Sequence, residues 1–345
     1  MKAGACNSRT TPGINEYVPD PDERMLTQSI PRADRTAPLF IVMNARSGAS
    51  DSNESHEKMR LQLEAARRAH EFVLVEHPED LTCQARRAVQ AARERGGAVV
   101  AVGGDGTINA IAHAALPFDV PMGIVPQGTF NYSGRAHGIP LEIEAATEVL
   151  LNPRLKPVQV GAVNDRIFLV NVSLGLYPKA LEQREEATTQ LGRKPIVALW
   201  SGLRTLLQES GQLTLEIELD REREVVRTST LFVGNNPVQL ERVGLPEADD
   251  VQQRHLAGVI VKTNRPSALL WLAFRGALGT LGDADQIRSF AFRSMTVNPR
   301  LRYGRRDIKI AIDGEILRIR PPLRFSIAPH SLWLMVPKQE TTPQC

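Results

Sequence analysis

A glycine-rich segment with one embedded carboxylate, Gly103 to Asn109, carries the strongest chemical signal in the sequence. It reads Gly-Gly-Asp-Gly-Thr-Ile-Asn and lies between an apolar run, residues 98–102, and a helical pattern, residues 107–116. Glycine lets the backbone approach a ligand closely, because it lacks a Cβ and tolerates positive φ. The amides that open the helix then face an anion, assisted by the helix dipole. The pattern predicts a phosphate-binding loop; the alternative is a strand-to-helix turn whose glycines serve packing alone.

Two common nucleotide-binding signatures are absent from the sequence. No G-x-x-x-x-G-K-[ST] pattern occurs in the 345 residues, which excludes a P-loop. The segment at 103–109 also departs from G-x-G-x-x-G, so a Rossmann dinucleotide site is not indicated. A phosphate ligand would therefore be held without the P-loop lysine.

Two further polar loops follow apolar runs. Residues 44–48 (NARSG) follow the run at 39–43, and residues 126–131 (PQGTFN) follow the run at 120–125. Each loop alone has the composition of any loop. In a parallel α/β sheet, however, the carboxyl ends of the strands share one edge, where ligands bind. We therefore expect the three loops to converge on one nucleotide.

The elements that must position these loops alternate regularly between strand and helix. This alternation predicts an α/β domain over residues 38–156, with a parallel sheet that is covered on both faces and binds a nucleotide. The predicted strands are 39–43, 72–76, 98–102 and 120–125, and the predicted helices are 53–70, 81–95 and 107–116.

The pattern changes near residue 157, after which most segments alternate as strands do. Residues 157–338 are predicted to form a β-sandwich-like substrate domain with inserted helices. Residues 1–37 and 339–345 are predicted tails. The predicted strands are 166–174, 213–219, 227–233, 258–262, 308–312 and 316–319, and the predicted helices are 194–207 and 267–281.

Charge is nearly balanced overall but uneven along the chain. The formal net charge of +3 argues against a dedicated nucleic-acid binder. Residues 288–338 contain eleven Lys or Arg against three acids, which suggests a docking surface for phosphates or anionic lipid headgroups. The alternative is a set of solvated strand faces. The cations are Arg288, Arg293, Arg300, Arg302, Arg305, Arg306, Lys309, Arg318, Arg320, Arg324 and Lys338; the acids are Asp307, Asp313 and Glu315.

Cysteine usage and hydropathy point to the cytoplasm. Cys6, Cys83 and Cys345 are odd in number and widely spaced, which fits neither a disulfide framework nor a metal site. The amino terminus lacks the apolar segment of a signal peptide. No run approaches the roughly 18 apolar residues of a membrane-spanning helix. We expect a cytoplasmic protein that can visit the inner face of the membrane without crossing it.

Five motifs, in order, give the sequence a family resemblance. Residues 44–48 resemble the N-P-x-S-G of the diacylglycerol kinase catalytic-domain family, which includes bacterial lipid kinases and sphingosine kinases. Residues 103–109 match its G-G-D-G-T-x-N, and residues 126–140 (PQGTFNYSGRAHGIP) resemble its P-x-G-T-x-N-D-x-A-R-x-L-G-I-P. Residues 171–178 (NVSLGLYP) resemble the start of its second domain, and residues 313–315 match its D-G-E.

The resemblance implies a lipid kinase that uses ATP and Mg²⁺, with a lipid such as diacylglycerol as substrate. It implies Asp105 near the triphosphate and the metal. It also implies Glu315 as the general base, supported by Asp313. Independently of the resemblance, Asp313-Gly314 is the preferred pair for a type I′ hairpin turn, and such a turn can present a carboxylate rigidly. The implied ATP-binding residues are Asn44, Ser47, Gly48, Gly103, Gly104, Asp105, Gly106, Thr107, Asn109, Gly128, Thr129 and Asn131.

Departures from the family pattern mark positions whose roles do not carry over. Tyr132 stands where the family usually has Asp, and residues 253–255 replace an Asp-Asp-Gly linked to a structural Mg²⁺. Two other functions remain open. An NAD kinase-like enzyme would share the first glycine loop, and a catalytically idle regulator would keep lipid or nucleotide binding alone.

Overall fold

A computed structural model of the protein describes residues 36–44, 49–128, 131–175, 212–263, 265–301 and 306–338. The chain divides into two compact units. The first combines residues 1–159 with residues 329–345, and the second is residues 160–328. The predicted tails fall outside the described residues except at Thr36 and Ala37, and the predicted helix at 194–207 falls outside them entirely.

The first unit is built on a six-stranded sheet. Its strands are β1 (Leu39–Asn44), β2 (His70–Val75), β3 (Ala98–Gly103), β4 (Met122–Pro126), β5 (Arg154–Val158) and β18 (Leu332–Val336). Their order in the sheet is β2-β1-β3-β4-β18-β5. The first four of these are parallel to one another, β18 is parallel to β4, and β5 is antiparallel to β18.

Helices cover this sheet because each presents an apolar stripe. In the second helix Ala85, Ala88, Val89 and Ala92 recur at helical spacing and are all buried. Every residue of β3 is buried as well, as expected for a central parallel strand. The helices of this unit are α1 (Ala49–Ala65), α2 (Leu81–Glu94), α3 (Asp105–Ala115), α4 (Tyr132–Ala136) and α5 (Ile143–Leu151).

The last strand, β18, returns to the first sheet from a distant part of the sequence. Its five residues, Leu332–Val336, are buried between β4 and β5. The sequence pattern predicts this segment as part of the second domain, residues 157–338. The apolar composition of so short a segment indicates a buried strand, but it does not indicate which sheet the strand joins.

The second unit is a sandwich of two six-stranded sheets, which confirms the predicted class. The sheets have the orders β10-β9-β14-β17-β6-β7 and β13-β12-β11-β8-β15-β16. One apolar core contains residues of both sheets, including Phe168, Ile217 and Phe325 from the first and Leu174 and Ile310 from the second. The sandwich core is thus the space between the sheets.

The remaining elements belong to this second unit. Two short helices, α6 and α7, pack their apolar residues against the outer side of β12. The strands are β6 (Gly161–Val163), β7 (Arg166–Phe168), β8 (Asn171–Gly175), β9 (Leu213–Leu219), β10 (Glu222–Thr228), β11 (Thr230–Gly234), β12 (Leu256–Val261), β13 (Ile287–Phe292), β14 (Ser294–Pro299), β15 (Ile308–Ile312), β16 (Glu315–Ile319) and β17 (Leu323–Ile327). The helices are α6 (Pro237–Arg242), α7 (Ala248–Gln252) and α8 (Pro266–Ala277).

Two predictions of a single strand are wrong, because each of the two segments passes from one sheet of the sandwich to the other. Residues 166–174 form β7 in one sheet and β8 in the other. Residues 227–233 contain the end of β10 in one sheet and most of β11 in the other, with Ser229 at the corner. Corners of this kind are a known way for strands to pass between packed sheets. Neither segment contains a glycine or proline that would mark the corner, so the sequence did not reveal the change.

Truncation of a central core residue should destabilise the sandwich. Phe325 is 1% exposed in β17, and Phe325→Ala should lower the free energy of unfolding by about 3–5 kcal/mol. Urea denaturation of the full chain measures the loss. The matched control is Val225→Ala on the exposed side of β10, which should change the free energy of unfolding by about 0.5 kcal/mol or less. Equal effects of the two substitutions would contradict the assigned core.

Candidate functional site

The three predicted loops begin at neighbouring strand ends in the first unit. Strands β1, β3 and β4 are adjacent and parallel, and they end at Asn44, Gly103 and Pro126. The predicted convergence at the carboxyl edge of the sheet therefore holds for the starts of all three loops. Ser47, Gly48 and Thr129 lie outside the described residues.

The loops that follow β3 and β4 touch through two glycines, Gly104 and Gly128. A Cβ on Gly128 would lie 2.7 Å from Gly104 Cα and 2.9 Å from Asn131 Oδ1. Real Cβ atoms do not approach backbone this closely, so a side chain at Gly128 would force the loops apart. The two loops thus form one continuous backbone surface over the ends of β3 and β4.

Side chains fix the shape of this surface. A Cβ on Gly103 would lie 2.8 Å from Thr107 Oγ1, so helix α3 packs directly over the end of β3. Asn131 has a left-handed φ of 51°, which asparagine tolerates better than most residues. Its side chain accepts a hydrogen bond from the Gly128 amide and donates one to the Gly128 carbonyl, both at 2.8 Å.

Asp105, which follows β3, connects its own loop to the loop that follows β4. It lies in the first turn of α3, and its carboxylate oxygens accept hydrogen bonds from the amides of Tyr132 (3.3 Å) and Ser133 (3.2 Å). These amides begin α4 and would otherwise have no partner within that helix. This role could not be predicted from the sequence, because a backbone amide is present at every residue except proline. Tyr132 takes part through its backbone, whatever side chain stands there.

The remaining predicted residues of the glycine-rich loop lie on the same helix. Gly104, Asp105 and Gly106 are partly exposed, and Thr107 is buried beneath them. Asn109 is partly exposed one turn further along α3. Gly104, Asp105 and Gly106 thus lie partly exposed at the start of α3, where helix geometry leaves the first backbone amides without an intrahelical partner and favours an anion.

A divalent metal fits the donor set if a nucleotide supplies the other ligands. No group of three or more His, Cys, Asp or Glu that could hold a metal occurs among the described residues. A single carboxylate together with phosphate oxygens is the usual environment of Mg²⁺ in nucleotide sites. Asp105 accepts two amide hydrogen bonds, and a carboxylate has about four acceptor positions, so capacity for a metal remains.

His137, at the end of α4, adds no positive charge near this surface at neutral pH. Burial, together with the positive charge of the nearby Lys156, lowers the pKa of His137 to about 4. The imidazole is therefore neutral at pH 7.

In the second unit, the Asp-Gly-Glu segment forms the predicted hairpin turn. Asp313 and Gly314 have positive φ values of 47° and 90°, and Ile312 pairs with Glu315 across the turn. This geometry is a type I′ turn. Glu315 is exposed immediately after it, as the first residue of β16.

Asp313 holds the corner at which β7 becomes β8. Its carboxylate accepts hydrogen bonds from the amides of Leu169 (2.7 Å), Val170 (2.8 Å) and Asn171 (2.9 Å). Its own amide donates to the Asn171 carbonyl at 2.9 Å. The turn that presents Glu315 is therefore anchored to the strand corner beside it. Sequence reasoning assigned Asp313 a supporting role but could not identify the amides.

A buried amide pair beside this corner was also not anticipated. Asn171 is 4% exposed, and its Nδ2 donates to Gln239 Oε1 at 3.1 Å. Helix α6, which carries Gln239, is capped by the Asn236 side chain, which accepts from the Gln239 amide at 3.3 Å. Asn-x-x-Gln at a helix start is a weak signal for a cap, and nothing in the sequence connects it to Asn171.

Comparison with known proteins agrees with the motifs. Residues 38–163 match the diacylglycerol kinase catalytic domain. A diacylglycerol kinase of Staphylococcus haemolyticus (strain JCSC1435) is 31% identical over 137 residues, which are 39% of this chain and 40% of that protein. A diacylglycerol kinase of Staphylococcus aureus (strain MRSA252) is 31% identical over 137 residues, 39% of this chain and 42% of that protein. The matched region thus spans about two fifths of the length of these relatives.

The fold is shared over a longer stretch. The crystal structure of a diacylglycerol kinase from Bacillus anthracis strain Sterne superposes with a TM-score of 0.65 at 19% identity, covering 88% of this chain and 97% of that one. The resemblance to the diacylglycerol kinase catalytic-domain family is therefore confirmed over residues 38–163, and the fold of most of the chain is that of the Bacillus anthracis structure.

Proposed function

We propose that the protein is a lipid kinase that transfers the γ-phosphate of ATP to a lipid hydroxyl, with diacylglycerol as the first candidate substrate. The observation that carries the proposal is the contact between Gly104 and Gly128, which leaves no room for a side chain. It creates a surface of backbone at the ends of β3 and β4, next to the start of α3. Such a surface suits the phosphates of a nucleotide, since amides donate to the phosphate oxygens without steric hindrance.

In this proposal the first unit holds the nucleotide. The open amides at the start of α3 and the Gly128 loop bind the phosphates, with Asn44, Ser47, Gly48, Thr129 and Asn131 as further contacts. Asp105 keeps the loops together and would be the protein ligand of Mg²⁺. When bound, the metal neutralises negative charge on the phosphates during transfer.

The second unit supplies the proposed base. A lipid hydroxyl is a poor nucleophile, and Glu315 would remove its proton as the new bond to phosphorus forms. Asp313 has no free role in proton transfer in this scheme, because its carboxylate is engaged by three backbone amides. We assign it the positioning of the turn.

We further propose that the enzyme works in the cytoplasm and contacts the anionic inner face of the membrane peripherally, where its substrate resides. None of the helices among the described residues is long and apolar enough to cross a membrane. An NAD kinase-like activity is less well supported, because the Gly128–Asn131 loop and the Asp-Gly-Glu turn follow the lipid kinase pattern. A catalytically idle regulator, which would only bind lipid or nucleotide, would not require both Asp105 and Glu315.

A panel of acceptors with labelled ATP separates these functions. We expect phosphate transfer to diacylglycerol in mixed micelles, and no transfer to NAD. Mg²⁺ removal by a chelator should abolish the transfer, because the metal would neutralise negative charge on the transferring phosphate. Phosphorylation of NAD would establish the second function, and ATP binding without transfer to any acceptor would indicate the regulator.

Removal of the charge of Asp105 should stop turnover. Asp105→Asn keeps the size of the side chain and an oxygen for one of the two amides, but it loses the carboxylate that we assign to Mg²⁺. We expect kcat/KM to fall by a factor of about 10² to 10³. The matched control is Asp119→Asn at the left-handed residue after α3 (φ 52°), which should retain activity within about twofold because asparagine adopts that φ readily. Turnover of Asp105→Asn at the parent rate would refute the assignment.

Glu315→Gln tests the base, because it keeps the turn and the size of the side chain. Turnover should fall by at least ~10², the low end for general-base catalysis, while ATP affinity stays near that of the parent. Asp313→Asn should reduce turnover less, since its role is to position the turn. The control is Glu222→Gln. Glu222 also begins a strand after a two-residue turn with positive φ, Asp220-Arg221, and it is exposed. If Glu315→Gln and Glu222→Gln are equally active, the base lies elsewhere.

A further inference from the structure

Helix α8 (Pro266–Ala277) exposes a tryptophan near its middle. Trp271 is 53% exposed, whereas Leu269 and Leu272 of the same helix are buried. Leu278 directly follows the helix and is 61% exposed. It comes seven residues after Trp271, a spacing that places both on one side of a helix. Because tryptophan is highly buried on average in folded proteins, an exposed stripe of this kind marks a contact surface.

The end of α8 is held in place by backbone contacts. The Thr280 amide donates to the Arg275 carbonyl at 3.0 Å, across the left-handed Gly279, which is the usual hydrogen bond of a glycine-terminated helix. The Arg275 side chain donates from Nε to the Thr280 carbonyl at 2.8 Å. A Cβ on Gly244, just after α6, would overlap the Gly279 carbonyl. The end of α8 therefore packs directly on the end of α6, and Leu278 projects from a fixed turn.

The chain around this stripe carries positive charge. No acid occurs between Lys262 and Asp283. Lys262 and Arg265 are exposed just before the start of α8. The third cation of the segment, Arg275, forms an ion pair with Asp283, with 3.4 Å between Arg275 Nη2 and Asp283 Oδ2. Asp285 is the next exposed acid and lies beyond the end of the helix. An anionic surface against the stripe would thus meet two cations at the amino end of α8.

These features fit a lipid bilayer better than a second protein. Exposed Trp and Leu flanked by Lys and Arg are typical of helices that lie in the membrane interface. The indole ring suits that boundary, because its body is apolar and its N–H is polar. The exposed area of Trp271 and Leu278 together is on the order of 200 Å². A stable protein interface needs about 800 Å² from each partner, whereas in a bilayer the binding strength scales with whatever apolar area is inserted.

We propose that α8 is the membrane-contacting element of this protein, and that Trp271 and Leu278 insert into the headgroup boundary of an anionic lipid bilayer. The proposal rests on the proposed function, since a lipid kinase must reach a substrate that resides in the membrane. Helix α6, which holds the end of α8, carries Gln239, the hydrogen-bond partner of Asn171. Packed elements therefore connect α8 to the strand corner that Asp313 anchors.

The first test removes the two apolar side chains and measures membrane binding. Vesicles of phosphatidylcholine and phosphatidylglycerol are sedimented with the parent protein and with Trp271→Gln/Leu278→Gln. Burial of the exposed half of one such side chain contributes a factor of about 4 to 12, so the double variant should bind roughly 15- to 150-fold more weakly. The matched control is Leu61→Gln/Leu74→Gln in the first unit, where the two leucines are 53% and 50% exposed. It should bind within about twofold of the parent.

Both double variants should melt within a few degrees of the parent, because surface substitutions change stability little. Equal weakening of vesicle binding by the two double variants would overturn the proposal, and so would parent-like binding of Trp271→Gln/Leu278→Gln. Light scattering tests the other occupant, a second copy of the chain. A dimer that Trp271→Gln/Leu278→Gln dissociates would assign the stripe to self-association and overturn the membrane contact.

Fluorescence shows whether the indole itself enters the bilayer. The chain contains three tryptophans, and vesicles with brominated phosphatidylcholine quench those that reach the lipid. Trp271→Phe keeps an aromatic, apolar side chain, so it should bind the vesicles within about threefold of the parent and lose most of the quenching. Quenching that is unchanged in Trp271→Phe would overturn the insertion of this residue.

Turnover separates this proposal from the proposed function. The ratio of diacylglycerol phosphorylation on vesicles to that of a short-chain diacylglycerol in detergent micelles should fall at least about tenfold in Trp271→Gln/Leu278→Gln. It should stay constant in Leu61→Gln/Leu74→Gln. A parent protein whose Trp271 is quenched by the vesicles, but which phosphorylates no lipid, would contradict the proposed function alone. A parent that phosphorylates diacylglycerol in vesicles while Trp271 stays unquenched would overturn the role of α8 alone.

Discussion

The carboxylate of Asp105 accepts hydrogen bonds from the amides of Tyr132 and Ser133, and the geometry of the candidate nucleotide site depends on this contact. The two loops leave adjacent strands and are also joined by a hydrogen bond from the Gln127 amide to the Gly103 carbonyl, at 2.9 Å, and by the glycine contact between Gly104 and Gly128. Hydrogen bonds between a charged group and a neutral one contribute about 1.5–3 kcal/mol when they are well formed. The same carboxylate that we assign to the metal therefore also shapes the surface that would bind the phosphates.

Asp313 in the sandwich and Asp105 in the α/β unit have the same structural role. Both side chains accept hydrogen bonds from backbone amides at a point where regular secondary structure is interrupted, in one case at the start of a short helix and in the other where β7 becomes β8. A strand that leaves one ladder and enters another has amides at the corner that neither ladder pairs, and unpaired buried amides are costly. One consequence is that Glu315, two residues beyond Asp313, follows a turn that the hydrogen bonds of Asp313 anchor. An anchored turn would suit the role of general base that we propose for Glu315.

The sandwich also separates chemistry from packing by the alternation of its strands. On β15 the residues Ile308, Ile310 and Ile312 belong to the core, whereas Lys309 lies on the outer face opposite Arg318. The same hairpin therefore stabilises the unit through one face and carries charged side chains on the other. In this arrangement the cations can change without loss of the core, and the core can be repacked without loss of the cations.

The sequence by itself determined the class of each unit and the identity of the central loops. Long alternation of apolar runs with helical stripes indicated the parallel sheet, and the glycine-rich segment at 103–109 indicated where its ligand edge lies, because these features depend on neighbours in the chain. Three features were decided only by the tertiary structure. The strand at Leu332–Val336 joined the first sheet, residues 166–174 and 227–233 divided between two sheets, and the amides of Tyr132, Ser133 and Leu169 became the partners of two aspartates. The reason is physical: burial leaves a periodic pattern in the side chains, whereas the choice of a pairing strand and the bonds of a backbone amide depend on residues distant in sequence, and the amide is the same in every residue but proline.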